Sequence, residues 1–582
     1  MAILIREKLT QYSATTLVAL SLVAGVCSLL FSWLFWAKFH IDIPIEDILR
    51  LIPTAQAVVE NGWSSVTLQE WLAPHASAHR IAIGRLLMAM EYKYFSGHND
   101  LLYLSMWLSI GALCYLYFLV SRLPKPSQPD TSWFMLGMAL VYTLSYSQFH
   151  NLIFPVNSLW YISSSCSALS VYLVVSRGNN LTLISALAAC LFAIVAAFSV
   201  FSGVITCLMV ALLTIQCRSR HAFWVPILLV LFVVFYLQDL KSGQAHILQK
   251  MTGEEVDVTL VMHIQSLVVN HAKVFQYTVN FLSAPLSKSA PLLSYVYVVP
   301  SLCLILFGWI AVIRAFFRGD SEEAIAHKFY LAMATIFLGT AIACFMGRAF
   351  QNAATAPRYQ TVVMLYWLSV SGLLLHTLPI KSHSALKIAC MILIVLLPVG
   401  LLYNKHALKI TPVVNESNEA SDIEITTQLG FPNFHDPSHP RNKFTPMYIE
   451  YESFLANNTS LARKPATARQ AQIVDPDICQ SMRVSIKPRL TKPDSSMPIS
   501  DVKLSVKHSD LQRFRRVRMA GPEGHYGELY FKHTHPSSIP DLIWGSTQWQ
   551  GYYGGSKGSQ PIILTFDAVL GPDFQCQLAT DS

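Results

Sequence analysis

LTLISALAACLFAIVAAFSVFSGVITCLMVALLTIQC, residues 181–217, runs for 37 positions without one charged side chain. About 20 residues rising 1.5 Å each cross a hydrocarbon core, so apolar runs of about 18 or more read as transmembrane helices. The stretch reads as two spans, 181–199 and 201–217. Similar runs recur between Thr15 and Tyr403. The full predicted set is 14–37, 100–120, 131–148, 157–176, 181–199, 201–217, 222–238, 291–313, 327–346, 360–377 and 384–403, eleven spans in all.

The chain of 582 residues is 53% hydrophobic and only 13% charged, with a mean hydropathy of +0.42. Soluble domains rarely combine these values. After Tyr403 the polar residues, prolines, serines and charges return and persist to Ser582. The predicted organisation is a polytopic α-helical membrane region over 1–403, a polar linker over 404–430 and a C-terminal domain over 431–582. The part beyond the last span, about 175 residues, is long enough to bury its own core.

Charge is unevenly placed. From Asn404 onward there are 19 Lys+Arg against 18 Asp+Glu, which leaves 23 against 16 for the membrane region. That surplus is not a nucleic-acid signature; it resembles the Lys/Arg bias of cytoplasmic loops. Arg6 and Lys8, Arg122 and Lys125, Arg177, Arg218 and Arg220, Arg314, Arg318 and Lys328, and Lys381 and Lys387 all fall on one side if the N-terminus is cytoplasmic. The segment VFQYTVNFLSAP, Val274 to Pro285, is apolar but short, and reads as an interfacial or re-entrant helix. Eleven spans then put the C-terminus outside. The first span lacks a small-residue cleavage site and ends in FSWLFWAKF, so it is expected to stay as an anchor.

Nine of the eleven cysteines lie in apolar spans, where a small core residue is the ordinary role. Cys479 and Cys576 are the only pair in the C-terminal domain. In an oxidising exterior they could form a disulfide, although sequence alone does not give their separation.

The first outer loop, 38–99, gathers opposite charges. Its acids are Asp42, Glu46 and Asp47. Pro44 marks a helix start, so Glu46 and Asp47 suit helix capping as well as a functional role; Asp42 precedes the proline and is harder to explain that way. Downstream lies HASAHRIAIGRLL, His75 to Leu87. His75 and His79 share a face if this segment is helical, but no acid interrupts them as in HExxH, so a zinc site is weakly indicated. Arg80 and Arg85 suit lipid headgroups. Together with the acids they also suit a reaction: cations for a phosphate leaving group and a carboxylate for a nucleophilic hydroxyl. Other outer loops add Asn151, from QFHNLIFPVNSLW, and Arg348, Arg358 and Tyr359, from GRAFQNAATAPRYQT. Arginines on the outer side oppose the usual bias; phosphate binding and pairing with Glu46 or Asp47 both account for them.

The order of these segments resembles bacterial polytopic glycosyltransferases of the GT-C superfamily, which use polyprenyl-phosphate sugars. The features are Asp42 after the first span, then HASAHRIAIGRLL, FSGHND, HNLIFPVNSLW, AAFSVFSG, VNFLSAPL and GRAFQNAATAPRYQ. The resemblance covers roughly residues 14–377 and rests on the order of these motifs along the chain. Relatives often carry an acid immediately before the His-Arg pair, where this chain has Ala78. The resemblance implies an inverting transfer of sugar from a polyprenyl-phosphate donor to a glycan, lipid-linked glycan or protein acceptor. Its site would face away from the cytoplasm of a bacterial inner membrane, with Asp42 as base and Asp47 as a second acid. His79, Arg80, Arg85, Arg348, Arg358 and Tyr359 would bind the donor phosphate, and Glu46, His75 and Asn151 would meet acceptor or sugar. A divalent metal serves some relatives and not others, and no other cofactor is implied.

In the C-terminal domain, RVSIKPRL, VKLSVKHS, GELYFKH, QPIILTFDAV and FQCQLAT alternate like strands between turn residues, which predicts a β-rich, sandwich-like fold on the extracytoplasmic side. IWGSTQWQGYYGG, Ile543 to Gly555, offers Trp544 and Trp549 for sugar stacking or for an aromatic core edge. RFRRVR, Arg513 to Arg518, suits a solvated strand or anionic headgroups. Two other functional classes fit the composition. A flippase for a lipid-linked sugar would use the cations without Asp42, but internal repeats and midplane charges, common in transporters, are not visible. A non-catalytic scaffold for the outer domain would leave the first loop dispensable.

Overall fold

The structure is a computed structural model. It describes residues 2–41, 46–75, 79–95, 97, 99–123, 129–217, 219–238, 268–284, 291–318, 325–348, 356–377 and 391–392, and then strands at 472–473, 483–488, 499–505, 514–520, 526–531, 548–554, 562–568 and 574–578. The linker 404–430, Asp42, Cys479 and Trp544 lie outside the described residues, as does the span predicted at 384–403 apart from 391–392. For Glu46, Asp47 and Arg348 only the backbone is described.

The chain is a helical membrane protein. The helices are α1 (Ala2–Phe39), α2 (Ile52–Asn61), α3 (Leu68–Trp71), α4 (Ala82–Tyr94), α5 (Asp100–Arg122), α6 (Pro129–Thr143), α7 (Phe149–Ile153) and α8 (Ser158–Arg177), then α9 (Leu183–Ser199), α10 (Ser202–Ile215), α11 (Trp224–Leu237), α12 (His271–Leu282), α13 (Pro291–Arg318), α14 (Ile325–Arg348) and α15 (Gln360–Thr377). Five segments are long and apolar enough to cross a membrane: Ala14–Ala37, Asp100–Arg122, Pro155–Asn180, Leu292–Ala315 and Ile325–Phe345. Shorter apolar helices follow the predicted spans at Leu183–Ser199, Ser202–Ile215, Trp224–Leu237 and Gln360–His376.

Residues 181–217 divide where the sequence reading placed the break. The helix stops at Ser199 and restarts at Ser202. Gly203 allows the tight return: a Cβ there would lie 2.0 Å from the Ala196 carbonyl carbon and the Ala197 nitrogen. Alanines and serines line this packing. The Ser163 hydroxyl donates to the Ala196 carbonyl at 3.0 Å, and the Ser167 and Thr206 hydroxyls meet at 2.7 Å. Small residues that hydrogen-bond between helices let backbones approach in an apolar medium. The short helix expected near 274–285 is α12, with Tyr277, Thr278, Val279, Phe281 and Leu282 buried and its first turn open.

Hydrogen bonds sort the helix ends onto two sides of the bundle. At one end, Asn151 bonds Thr361, joining α7 to the start of α15, and the Trp367 indole donates to the Leu282 carbonyl at 2.8 Å. Arg80 bonds Tyr236 near the end of α11. At the other end, Ser219 donates to the Leu181 carbonyl at 2.7 Å, and the Tyr330 hydroxyl donates to the Tyr117 carbonyl at 3.2 Å. Loops 38–99, 144–157 and 356–360 therefore share one end.

The described strands from β3 (Gln472–Ile473) through β4 (Arg483–Pro488), β5 (Ile499–Ser505), β6 (Phe514–Ala520), β7 (Tyr526–Phe531), β8 (Gln548–Gly554) and β9 (Ile562–Ala568) to β10 (Phe574–Leu578) join in one sheet, in the order β3-β10-β9-β6-β7-β8-β5-β4. All neighbours are antiparallel except β3 with β10. Among the described residues these eight strands belong to one hydrogen-bonded sheet, and a second sheet facing it, as a sandwich would have, is not described. Alternation still separates the faces. The register lines Trp549 up with Leu504 and Phe531, on the face of buried Leu504, Val517, Met519, Leu564 and Cys576. On the opposite face, Arg516 is registered with Asp567 and Arg518 with Glu528.

Candidate functional site at the loop-bearing end of the bundle

The segment carrying His75 and His79, which would put them on one face if helical, is a hairpin. Strands β1 (Pro74–His75) and β2 (His79–Arg80) pair antiparallel with His75 opposite His79, and their rings lie 5.6 Å apart. A chain reversal, not a helical turn, makes them neighbours. His75 is buried.

Arg80 and Arg85 follow from this hairpin. The Arg80 Nε donates to the Tyr236 carbonyl at 3.1 Å, Nη1 donates to the Leu72 carbonyl and Nη2 to that of Gln238. Its backbone N–H donates to the Tyr236 hydroxyl at 3.0 Å. Arg85, on the inward face of α4, donates from Nη1 to the carbonyls of Trp71 at 3.0 Å and Ala73 at 2.7 Å. Both arginines are 6% exposed as residues, and among the described residues neither meets a carboxylate. Burial first, and the like charge of Arg80 second, pull the Arg85 pKa down from its ordinary value. Carbonyl dipoles offset part of the charge. Two buried cations held close together still favour an anion, because an unpaired buried charge costs several kcal/mol.

The carboxylates are placed by backbone. Glu46 and Asp47 open the 3-10 helix Glu46–Leu51, as the Pro44 start predicted. Ile41, the neighbour of Asp42, is clamped on every side. Its N–H reaches the Tyr103 hydroxyl at 2.9 Å and the Ile153 carbonyl at 3.3 Å, and its carbonyl accepts from the Asn99 amide at 3.1 Å. The Tyr103 hydroxyl also lies 3.0 Å from the Ile41 carbonyl. Asn99 adopts a left-handed backbone (φ 63°) in the turn between α4 and α5 and is fully buried, with Oδ1 lacking a partner among the described residues. A third carboxylate, Glu91, is buried on α4 and accepts the Leu101 N–H at 2.6 Å, where it caps α5.

A second polar group joins the loops around 148–160 and 356–361. Asn151 Nδ2 donates to Thr361 Oγ1 at 2.9 Å and to Gln148 Oε1 at 3.1 Å; Thr361 donates to the same Gln148 oxygen at 3.0 Å. Asn151 Oδ1, Gln360 Oε1, Ser158 Oγ and Arg358 Nε are buried without a partner among the described residues. Tyr359 is wedged between Trp160 and Phe281, at 5.9 and 5.2 Å between ring centroids, and Arg358 lies 5.5 Å over its ring. Arg358 meets no described carboxylate.

The expected residues thus form two clusters, His75, His79, Arg80 and Arg85 in one, and Asn151, Arg358 and Tyr359 in the other. No described hydrogen bond links the clusters. Asn99, Tyr103, Gln148, Tyr236 and Thr361 were not anticipated. Only Tyr236 left a usable signal, being the sole hydroxyl in WVPILLVLFVVFYL. Among the described residues no three His, Cys, Asp or Glu side chains gather as a metal site. Cys576 is disulfide-bonded to a cysteine outside the described residues. No protein-family model, curated protein or solved structure matches the chain.

Proposed function

We propose that the chain is a membrane glycosyltransferase that moves a sugar from a polyprenyl-phosphate donor to a glycan, lipid-linked glycan or protein on the far side of a bacterial inner membrane. The observation that carries the reading is the pair of buried arginines, Arg80 and Arg85, with no described carboxylate beside them, in the same outer loop as Asp42. Such a pair is suited to a phosphate, whose oxygens accept from planar N–H forks. In this reading eleven spans place the loop-bearing end and the β-rich C-terminal domain outside the cytoplasm, and the Cys576 disulfide supports that side for the sheet.

Asp42 takes the proton from the acceptor hydroxyl. The freed oxygen attacks the anomeric carbon, the bond from that carbon to the phosphate oxygen breaks, and its electron pair leaves on the phosphate. The configuration inverts. The guanidiniums stabilise the charge that grows on the leaving oxygen, a preorganised electrostatic role. Arg358, whose Nε is buried without a partner among the described residues, is a third candidate for the same anion.

The test is transfer by the purified chain, supplied with polyprenyl-phosphate sugars and candidate acceptors, beside Asp42→Asn. Product from the native chain and none from a folded Asp42→Asn variant supports the reading. Equal turnover removes Asp42 from the mechanism. Lipid movement across the bilayer without product would identify a flippase.

A further inference from the structure

Helix α4 is amphipathic in reverse. Its inward face buries Arg85 and Glu91 with Gly84, Met88, Ala89 and Tyr92. Its outward face carries Ile83, Leu86, Leu87, Met90 and Tyr94, spaced three and four apart, with Leu86 and Tyr94 exposed and the others half-buried. Residues at that spacing form one stripe. A helix with water outside would have the opposite pattern.

The stripe runs into an aromatic shelf. Trp63 stacks on Trp71 at 6.1 Å and on Tyr94 at 6.5 Å, and the Trp63 indole donates to the Tyr94 hydroxyl at 3.3 Å. Lys93 fixes the shelf from behind, donating to the Val58 carbonyl at 3.0 Å with its ammonium 5.9 Å from the Trp63 ring. Leu68 is 73% exposed and Tyr94 61%, and Phe95 is exposed beside them.

We infer that this stripe and shelf rest on the membrane–water boundary, so that α4 lies along the bilayer surface with Trp63, Leu68, Leu86, Tyr94 and Phe95 among the lipid headgroups and upper acyl chains. Three observations select lipid as the occupant. A helix of 13 residues is about 20 Å long, too short to span but suited to lying in the interface. Phe95 is five residues before Asp100, where the membrane-crossing α5 begins, and that helix itself exposes Leu104 and Leu108. Trp and Tyr are the side chains that collect at this boundary, with an apolar body and a polar tip. The consequence is positional: with its stripe in lipid, α4 turns Arg85 toward the protein, at the depth where a lipid-borne phosphate would lie.

The full chain is reconstituted in nanodiscs of phosphatidylethanolamine and phosphatidylglycerol. Leu68→Cys and Leu86→Cys, each labelled with an environment-sensitive fluorophore, are read against the labelled native chain, which corrects for Cys27 and Cys303. Blue-shifted emission, quenched at least twofold more by lipids spin-labelled near the headgroup than at the chain end, supports the placement. Water-like emission without lipid quenching at both positions overturns it. So does a blue shift that appears only with two copies per disc, which would assign the face to a second chain. A shift caused by added soluble glycan and not by lipid would likewise overturn it.

Discussion

The Tyr103 hydroxyl lies 2.9 Å from the Ile41 nitrogen and 3.0 Å from the Ile41 carbonyl oxygen. One phenol on the first turn of α5 thereby fixes the backbone one residue before Asp42, and its further contact with the Ile153 carbonyl ties both to the loop preceding α8. Tyr103→Phe is expected to lower stability by about 1–3 kcal/mol, since buried backbone groups lose a partner. If Asp42 is the base, the variant loses turnover more than donor affinity, whereas Asp42→Asn loses turnover with its melting temperature intact. Thermal melting beside kcat and KM distinguishes the two.

Arg80 and Arg85 differ in how many of their N–H groups the protein already engages. Arg80 ties together Leu72, Tyr236 and Gln238, so Arg80→Met is expected to cost about 1–3 kcal/mol by leaving the buried Tyr236 carbonyl unmatched. Arg85→Lys keeps the charge but loses the planar fork. It is expected to fold and to bind polyprenyl phosphate at least tenfold more weakly, as titrated in nanodiscs. Unchanged binding would take Arg85 out of the anion site.

At the tight return between α9 and α10, Gly203→Ala is expected to be among the most damaging single substitutions. The added methyl would overlap the Ala196–Ala197 backbone, and such overpacking costs about 3 kcal/mol or more where backbone cannot yield. Loss of monodisperse protein on size exclusion would show it. A neighbouring control, Leu208→Ala on the exposed face of α10, is expected to behave like the native chain.

Glu70 gives a pH dependence of known sign. In the capping box at Thr67, backbone and then side-chain hydrogen bonds from Thr67 hold the Glu70 pKa below 4.5. A depressed carboxylate contributes stability above its unfolded pKa, and that contribution is lost as pH falls through the folded value. Hydrogen exchange at Leu68–Trp71 should therefore be faster in Glu70→Gln than in the native chain near neutral pH. The difference should vanish once Glu70 itself is protonated in acid.

The positions of the apolar helices were legible from sequence because a hydrocarbon core imposes length and apolarity on each span locally. The break at Ser199–Ser202 and the short α12 followed from the same reading. Strand alternation in the C-terminal part was legible too, for each strand repeats every two residues. What HASAHR would become was not. A spacing of four serves a helix or a hairpin equally, and the choice fell to contacts from distant helices, with Tyr236 taking up the Arg80 backbone.

Sequence by itself determined that this chain is a helical membrane protein with an unusual gathering of charge in its first long loop. Hydrophobicity is a sum over neighbouring residues and needs no partner. Tertiary structure alone decided which way those charges face. Arg85 points inward and Leu86 outward on one short helix, Ile41 is gripped by Asn99 and Tyr103 from another, and Asn151 meets Thr361 from 210 positions away. Such pairings depend on how helix ends meet in space, which no local pattern encodes.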